Sequence, residues 1–259
     1  MIAKLVISFL APVIAGFGAE DGSSLAARFS GQVNRRLTVP EAERQNYGNL
    51  LKQALAERNL TAPQYVVLVD RSAMVQAAMI YWMSSDGEFH FIGASPVSTG
   101  LPGRFEHFQT PLGVFEHTTD NLDFRAEGTK NEFGVRGYGK KGMRVYDFGW
   151  QEEARGWGKG GEGIMRLQMH STDPDLLEQR VGTAQSKGCI RIPATMNTFI
   201  DHYGILDGDY DEAMAEGKTF WVLRSDRAVT PWSGRFLVVV DTGRKTRPDW
   251  AALPGKKKK

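Results

Sequence analysis

The spacing of apolar residues changes near residue 64 and separates two kinds of predicted structure. Before that point, apolar side chains recur three and four positions apart, as on one face of a helix: Tyr47, Leu50, Leu51, Ala54 and Leu55. Pro40 suits the start of this helix, and Asn59 ends the pattern. We expect the helix to pack on the main domain as a brace rather than to form a separate binding module.

After residue 64, short β-rich runs bounded by turn residues replace the helical spacing. They predict strands over residues 65–70, 74–83, 88–97, 110–117, 164–170, 219–224 and 235–241. Asp86-Gly87 predicts a tight hairpin turn, and Pro193 predicts the start of a helix that runs to about residue 203. The fold class is therefore mainly β: a β-sandwich-like domain with an N-terminal helical extension and a helix after residue 193.

Ten glycines lie between Gly134 and Gly163. Such a segment is either a mobile flap that closes over a substrate, with Tyr138 or Trp157 as the covering side chain, or a long irregular loop without a role. The pattern alone does not choose between the two.

Charge and hydropathy at the two ends bear on location. Lys4 precedes an apolar run over residues 5–17, and small residues follow, which predicts a secretory leader over residues 1–19. The formal net charge of +2 depends on four terminal lysines, Lys256 to Lys259. Without them the balance is slightly acidic, so a nucleic-acid partner is not expected. We expect an exported monomer of the periplasm or cell envelope, with no membrane span after leader removal.

The chain has a single cysteine, Cys189. In an exported protein, one thiol forms no internal disulfide and suggests reactivity, whereas the alternative is a small buried apolar residue. His170 lies at the end of the predicted strand 164–170, on the face that also holds Arg166 and Gln168. The opposite face holds Met165, Leu167 and Met169. A histidine on the polar face is a candidate general base for the thiol.

The residues around Cys189 support the same chemistry. Gly188 allows backbone conformations in which the amides of Gly188 and Cys189 converge into an oxyanion hole. If the segment is extended, Lys187 and Arg191 lie on the side of the sulfur, and their charges would lower the pKa of the thiol. The other four histidines have no metal-ligand spacing, and for His107 and His117 surface or structural roles are expected. No metal or organic cofactor is predicted.

Four ordered blocks resemble the L,D-transpeptidase catalytic domain (YkuD-type). They are Val97-Ser-Thr-Gly100, Thr110-Pro-Leu-Gly-Val-Phe115, His170, and, after a gap of 15 residues, Ser186-Lys-Gly-Cys-Ile-Arg191. The resemblance divides the chain into the leader over 1–19, a helical extension over 20–62, a catalytic domain over 63–226, and a C-terminal strand and basic tail over 227–259.

The resemblance implies a mechanism on peptidoglycan stem peptides. Cys189 would attack the L,D bond before the terminal D-alanine of a stem tetrapeptide, and His170 would take the thiol proton. The carbonyl of Ser171 would orient the imidazole, while Ser186 and Gly188 would belong to the oxyanion region. Arg191 matches a family arginine and would hold a substrate carboxylate, while the positions of Lys187, Tyr138 and Trp157 in the sequence make them further candidates for substrate contact. A second stem's amine would then resolve the thioester into a 3→3 cross-link.

One position departs from the family pattern, because Lys187 stands where the family usually has histidine. The nucleophile and base are kept, so the departure leaves the acceptor open. Water instead of an amine would make the protein an L,D-carboxypeptidase or endopeptidase. Two further alternatives are a catalytically inactive wall-binding module and an unrelated secreted cysteine protease.

Overall fold

A computed structural model describes residues 22–228 and 230–253, so the predicted leader and the terminal lysines lie outside the described residues. Within that range the chain forms four α-helices and nine strands. The helices are α1 (Leu25–Gln32), α2 (Glu41–Leu55), α3 (Ala194–His202) and α4 (Gly208–Ala215). The strands are β1 (Gln64–Asp70), β2 (Ala77–Met83), β3 (Phe89–Pro96), β4 (Gly113–Glu116), β5 (Phe124–Arg125), β6 (Arg144–Ala154), β7 (Glu162–Ser171), β8 (Ile190–Ile192) and β9 (Phe236–Val240).

The described strands form two sheets. One has the order β3-β2-β1-β9-β4, with β1 and β9 parallel and the other neighbours antiparallel. The second has the order β5-β6-β7-β8, with β7 and β8 parallel. The prediction of a β-rich fold is confirmed, since sheets dominate over helices in the described chain.

The main core lies between the two sheets. Its buried side chains alternate along the strands, as the pleat requires. They include Val67, Val69, Ile80 and Leu237 from the first sheet, and Tyr146, Leu167, Met169 and Ile190 from the second. Helices α1 and α3 complete this core, where Phe29 and Phe199 meet edge to face with ring centroids 5.2 Å apart.

Helix α2 covers the outer face of the five-stranded sheet. Tyr47, Leu51 and Leu55 are buried against a second cluster that includes Leu68 and Met79. Because both faces of the sheet are covered, β1 is buried along nearly its whole length instead of alternating. The packing of this helix on the main domain is the arrangement that its apolar face predicts.

The glycine-rich segment is not an irregular loop throughout, which corrects that interpretation, whereas a role of Tyr138 or Trp157 as a covering side chain stays a prediction. Residues 144–154 form the long strand β6, and its pairing with β7 shifts register between Asp147 and Trp150. Gly149 takes φ 78° at this bulge, a backbone conformation that favours glycine. The extra residue interrupts the alternation, and for this reason the sequence pattern does not reveal the strand.

The predicted strand over residues 219–224 is wrong. The segment forms a turn, although Phe220, Trp221 and Val222 have high β propensity. A strand requires a neighbouring backbone ladder, and here the Val222 carbonyl instead accepts a hydrogen bond from the Arg125 guanidinium. The segment therefore does not form a strand despite its high β propensity, because no neighbouring strand of the described chain pairs with it.

Candidate functional site

His170 and Cys189 are brought to neighbouring parallel strands by the second sheet. In the register of β7 and β8, His170 pairs with Arg191, so Cys189 lies two residues away, immediately before β8. The Gln168 backbone N–H is close enough to the Cys189 sulfur to lower the pKa of the thiol, which puts the sulfur beside the strand that carries the imidazole. Side chains that pair across a ladder point to the same face, so His170 and Arg191 share a face of the sheet.

The imidazole is held in one orientation. His170 is buried, and its Nδ1 lies 2.7 Å from the Ser171 carbonyl oxygen. A carbonyl only accepts, so Nδ1 carries the proton and Nε2 is left as the basic nitrogen. Burial, aided by the Arg191 charge, lowers the pKa of His170 to about 4, although the Ser171 carbonyl acts in the opposite direction. The imidazole is therefore neutral at pH 7.

The pKa of the Cys189 thiol is raised above its ordinary value, which corrects the expectation of a thiolate activated by two cations. Burial is the largest cause; Arg191 lowers the pKa but does not offset it. Lys187 does not contribute to the shift in the pKa of the thiol, because its Nζ pairs with Glu106 at 2.9 Å on the exposed surface. The backbone bends from Lys187 to Cys189, so the extended arrangement that would align both cations does not form.

The amides expected to form an oxyanion hole are only partly free. The Gly188 N–H donates to Ser186 Oγ at 3.1 Å, and the Gly188 carbonyl accepts from Thr110 Oγ1 at 2.6 Å. This corrects the prediction that the Gly188 amide is available to a substrate. The Cys189 amide lies beside its own sulfur. Gly188 itself is required, because φ is +127° and an added Cβ would lie 2.7 Å from Met165.

The upstream sequence blocks meet the cysteine loop directly. Ser98 and Arg191 exchange two backbone hydrogen bonds of 2.9 Å. Thr110 links the blocks further, because its hydroxyl accepts from the Gly100 N–H at 2.9 Å while donating to Gly188. The structural role of Thr110 was not predicted. The only hint in the sequence was its place at the start of the Thr-Pro-Leu-Gly block.

Arg191 lies at the site without a carboxylate partner. Its guanidinium forms no ion pair within the described part of the chain, and its buried Nε has no hydrogen-bond partner there. Burial lowers the pKa of Arg191 from 12.5, yet an arginine stays charged at neutral pH. An unpaired, largely buried guanidinium is suited to a carboxylate ligand.

Tyr138 contacts the histidine of the site, and Trp157 packs near the cysteine loop. Tyr138 contacts the His170 ring edge to face, with centroids 4.7 Å apart. Its loop is anchored by Asp173, which accepts from the Arg136 N–H at 2.9 Å and also caps the turn after β7 by accepting from the Asp175 N–H at 2.9 Å. Trp157 lies in the β6–β7 hairpin and packs edge to face on Phe108, which is adjacent to Gly188.

One buried polar residue beneath the site, Asp147, was missed by sequence reasoning. The buried carboxylate of Asp147 accepts from Gln168 Nε2 and Arg166 Nε, each at 2.8 Å. Gln168 Oε1 in turn accepts from the Tyr138 hydroxyl at 3.3 Å. The alternation of β7 placed Gln168 and Arg166 on the face of His170, but Asp147 lies in the unrecognised strand β6.

The histidines outside the site belong to no cluster of potential metal ligands in the described chain. Among residues 22–228 and 230–253, no group of three or more His, Cys, Asp or Glu side chains could hold a metal ion. His117 is fully buried, with Nε2 2.8 Å from Asp123 and Nδ1 2.7 Å from the Leu206 carbonyl oxygen.

No helix in the part of the chain that is described has the length and hydropathy to cross a membrane.

Comparison with known proteins leaves the family open. No protein-family model and no curated protein matches the chain. Among solved structures, the chain is similar to a mutant of the helical cell shape determining protein Pgp2 from Campylobacter jejuni, at 16% identity and a TM-score of 0.28. The match covers 82% of this chain and 59% of that protein, so the chain spans less than two thirds of its length. A TM-score this low supports no argument about fold or function.

Proposed function

We propose that the chain is an exported cysteine L,D-transpeptidase that acts on peptidoglycan stem tetrapeptides. One observation carries the proposal: Cys189, a residue of intermediate exposure, lies next to the strand of an imidazole whose Nδ1 is fixed by the Ser171 carbonyl. Cysteine with an oriented histidine is the arrangement that forms thioesters in acyl transfer. The four sequence blocks that resemble the family also contact one another around this cysteine.

In the proposed reaction, thiol and imidazole are both neutral before attack, as their shifted pKa values require. His170 Nε2 takes the thiol proton as the sulfur attacks the carbonyl carbon of the L,D bond. The Cys189 amide stabilises the developing oxyanion. The C–N bond then breaks, the imidazolium protonates the leaving amine, and D-alanine departs.

Arg191 supplies the counter-charge for a carboxylate of the stem peptide. Its guanidinium lacks a protein partner, so substrate binding removes the cost of a buried unpaired charge. A second stem's side-chain amine then attacks the thioester, which forms the 3→3 cross-link and returns the proton to sulfur. With water as the acceptor, the same enzyme is an L,D-carboxypeptidase.

Mass spectrometry of the intact protein with a defined tetrapeptide stem tests the proposal. The wild-type protein should gain the mass of the tetrapeptide less D-alanine, and Cys189→Ala should gain none. His170→Gln should slow adduct formation by about a hundredfold or more, in line with the loss of a general base. His90→Gln is the matched control, because His90 is exposed on β3.

An equal adduct on Cys189→Ala would refute the proposal. Binding to purified sacculi without any D-alanine release, at any pH tested, would identify an inactive wall-binding module. Cleavage of casein but not of muropeptides would identify a general cysteine protease. Analysis of the products, cross-linked dimer or tripeptide, separates an amine acceptor from water.

A further inference from the structure

Three side chains form a row of hydrogen bonds at the candidate site, from Asp147 through Gln168 to Tyr138. Asp147 Oδ2 accepts from Gln168 Nε2 at 2.8 Å, and Gln168 Oε1 accepts from the Tyr138 hydroxyl at 3.3 Å. Gln168 lies two residues before His170 on the same face of β7, and the Tyr138 ring contacts the imidazole with centroids 4.7 Å apart. The row therefore ends beside the imidazole.

Asp147 fixes the direction of these hydrogen bonds. Its carboxylate forms an ion pair with Arg166, 2.8 Å from Nε to Oδ2, and accepts from the Gly149 N–H at 2.9 Å. A carboxylate only accepts, so the Gln168 amide must turn its NH2 group toward Asp147 and its oxygen toward Tyr138. The amide oxygen also only accepts, and the Tyr138 hydroxyl must therefore be the donor.

The oxygen of Tyr138 is left as a hydrogen-bond acceptor. The tyrosine keeps its proton at neutral pH, because burial raises its pKa and the neighbouring Cys189 and Asp147 raise it further. Arg191 acts in the opposite direction without offsetting them. No donor in the described part of the chain bonds this oxygen, and Tyr138 is 40% exposed. With its single proton held by Gln168, the hydroxyl can accept from a ligand N–H but has no hydrogen to give to an oxyanion.

We propose that the Tyr138 oxygen accepts the N–H of the scissile L,D amide and thereby positions the leaving nitrogen. The inference rests on the proposed function and adds a specificity-determining contact to it. A nitrogen whose N–H is held by Tyr138 has a fixed rotation, so its developing lone pair can meet His170 Nε2. The C–N bond breaks, the nitrogen keeps its hydrogen, and its second proton comes from the imidazolium. D-Alanine then leaves as the neutral amine while the thioester carbonyl forms.

Two stem substrates that differ only at the scissile N–H test the inference. One is the tetrapeptide stem, and the other carries D-lactate in place of D-alanine, so that an ester oxygen replaces the N–H. Both form the same thioester on Cys189, and mass spectrometry over time gives the second-order rate constant of acylation for each. Tyr138→Phe keeps the ring and loses the acceptor. It should slow acylation by the amide about five- to tenfold and leave acylation by the ester within about twofold of wild type.

Gln168→Met tests the direction of the hydrogen bonds. It removes the oxygen that holds the tyrosine proton, so the hydroxyl is free to turn its hydrogen toward the substrate, and the ratio of amide to ester acylation should fall about threefold or more. Tyr203→Phe is the matched control, because the Tyr203 hydroxyl accepts from Gln32 Nε2 at 2.8 Å between α1 and α3. It should leave the ratio unchanged. In every variant, acylation by the ester reports that the fold, the thiol and the base are intact.

An amide-to-ester ratio that stays unchanged in Tyr138→Phe or in Gln168→Met would overturn the inference. An equal loss of amide and ester acylation in Tyr138→Phe would also overturn it, because the ester has no N–H to lose. If the wild-type protein forms the thioester and the ratio does not respond, only this inference fails. If neither substrate forms a thioester on the wild-type protein, the proposed function fails, and the role of Tyr138 fails with it.

Discussion

The ring of Tyr138 stands edge-on to the imidazole of His170, with centroids 4.7 Å apart and planes at 67°. The tyrosine hydroxyl donates to Gln168 Oε1 at 3.3 Å, which ties the loop to β7. Burial is also the largest cause that lowers the pKa of His170. The Tyr138 ring therefore shields the imidazole from water, and its hydroxyl holds the loop beside the imidazole.

Removal of the Tyr138 ring should change the pH dependence of acylation. In Tyr138→Ala, water reaches His170, so its pKa should rise from about 4 toward the ordinary 6.5. The base is active only when neutral, and the acid limb of the acylation profile should therefore move up by about one pH unit or more. Tyr138→Phe keeps the ring and loses only the weak hydroxyl bond, so its acid limb should stay in place.

The thiol should react as a neutral group at pH 7. Burial raises the pKa of Cys189 above 9.0, so alkylation by iodoacetamide should be slow at neutral pH and should accelerate through and beyond pH 9. Arg191→Gln removes the charge that favours the thiolate, and should slow alkylation further. A rate that is constant between pH 6 and pH 9 would show a low pKa and contradict this account.

Lys187 should be dispensable for thioester formation. Its ammonium pairs with Glu106 at 2.9 Å, and both side chains are more than half exposed. Such a pair contributes at most about 1 kcal/mol to stability. We expect D-alanine release by Lys187→Ala to stay within about twofold of wild type, and Glu106→Gln is the matched variant. A large loss in Lys187→Ala alone would assign the lysine a role at the thiol that its ion pair does not suggest.

The buried pair of Asp123 and Arg144 should contribute measurably to stability. Arg144 Nε lies 2.6 Å from Asp123 Oδ2, and both side chains are fully buried. Asp123→Ala removes this partner from the Arg144 guanidinium and from the His117 ring, although Arg144 keeps Asp207, whose Oδ1 lies 2.7 Å from Nη1. The protein should therefore be destabilised by about 3 kcal/mol, the low end of the cost of breaking a buried pair. Urea unfolding measures the change. Asp226→Asn, which removes an exposed carboxylate paired with Arg224, is the control and should have little effect.

The pH dependence of stability should reflect His117. The Asp123 charge and hydrogen bonds raise the pKa of His117 above 6.5, although burial opposes this shift. A raised pKa in the folded state means that the contribution is complete below pH 6.5 and is lost as pH rises through the folded-state value. In His117→Gln this loss should disappear from urea midpoints measured across the same pH range. An unchanged slope would assign the dependence to other groups.

The sequence alone determined the parts of this protein that depend on local periodicity. The apolar spacing of Tyr47 and Leu51 specifies a helix face, and the alternation of Leu167 with Gln168 specifies which side of β7 faces the core. These preferences are set by backbone geometry within a few residues, so they can be read without knowledge of the partner element. The sequence also showed that Cys189 and His170 are a possible nucleophile and base, because their side-chain chemistry does not depend on the fold.

Only the tertiary structure decided the environment of those groups. Burial raises the pKa of the Cys189 thiol. The Gly188 N–H donates to the Ser186 hydroxyl, and Lys187 forms an ion pair with Glu106. Each of these effects depends on atoms that are distant in the chain or on a backbone bend. Desolvation and hydrogen-bond competition follow from which groups the fold brings together, and residue order does not encode them locally.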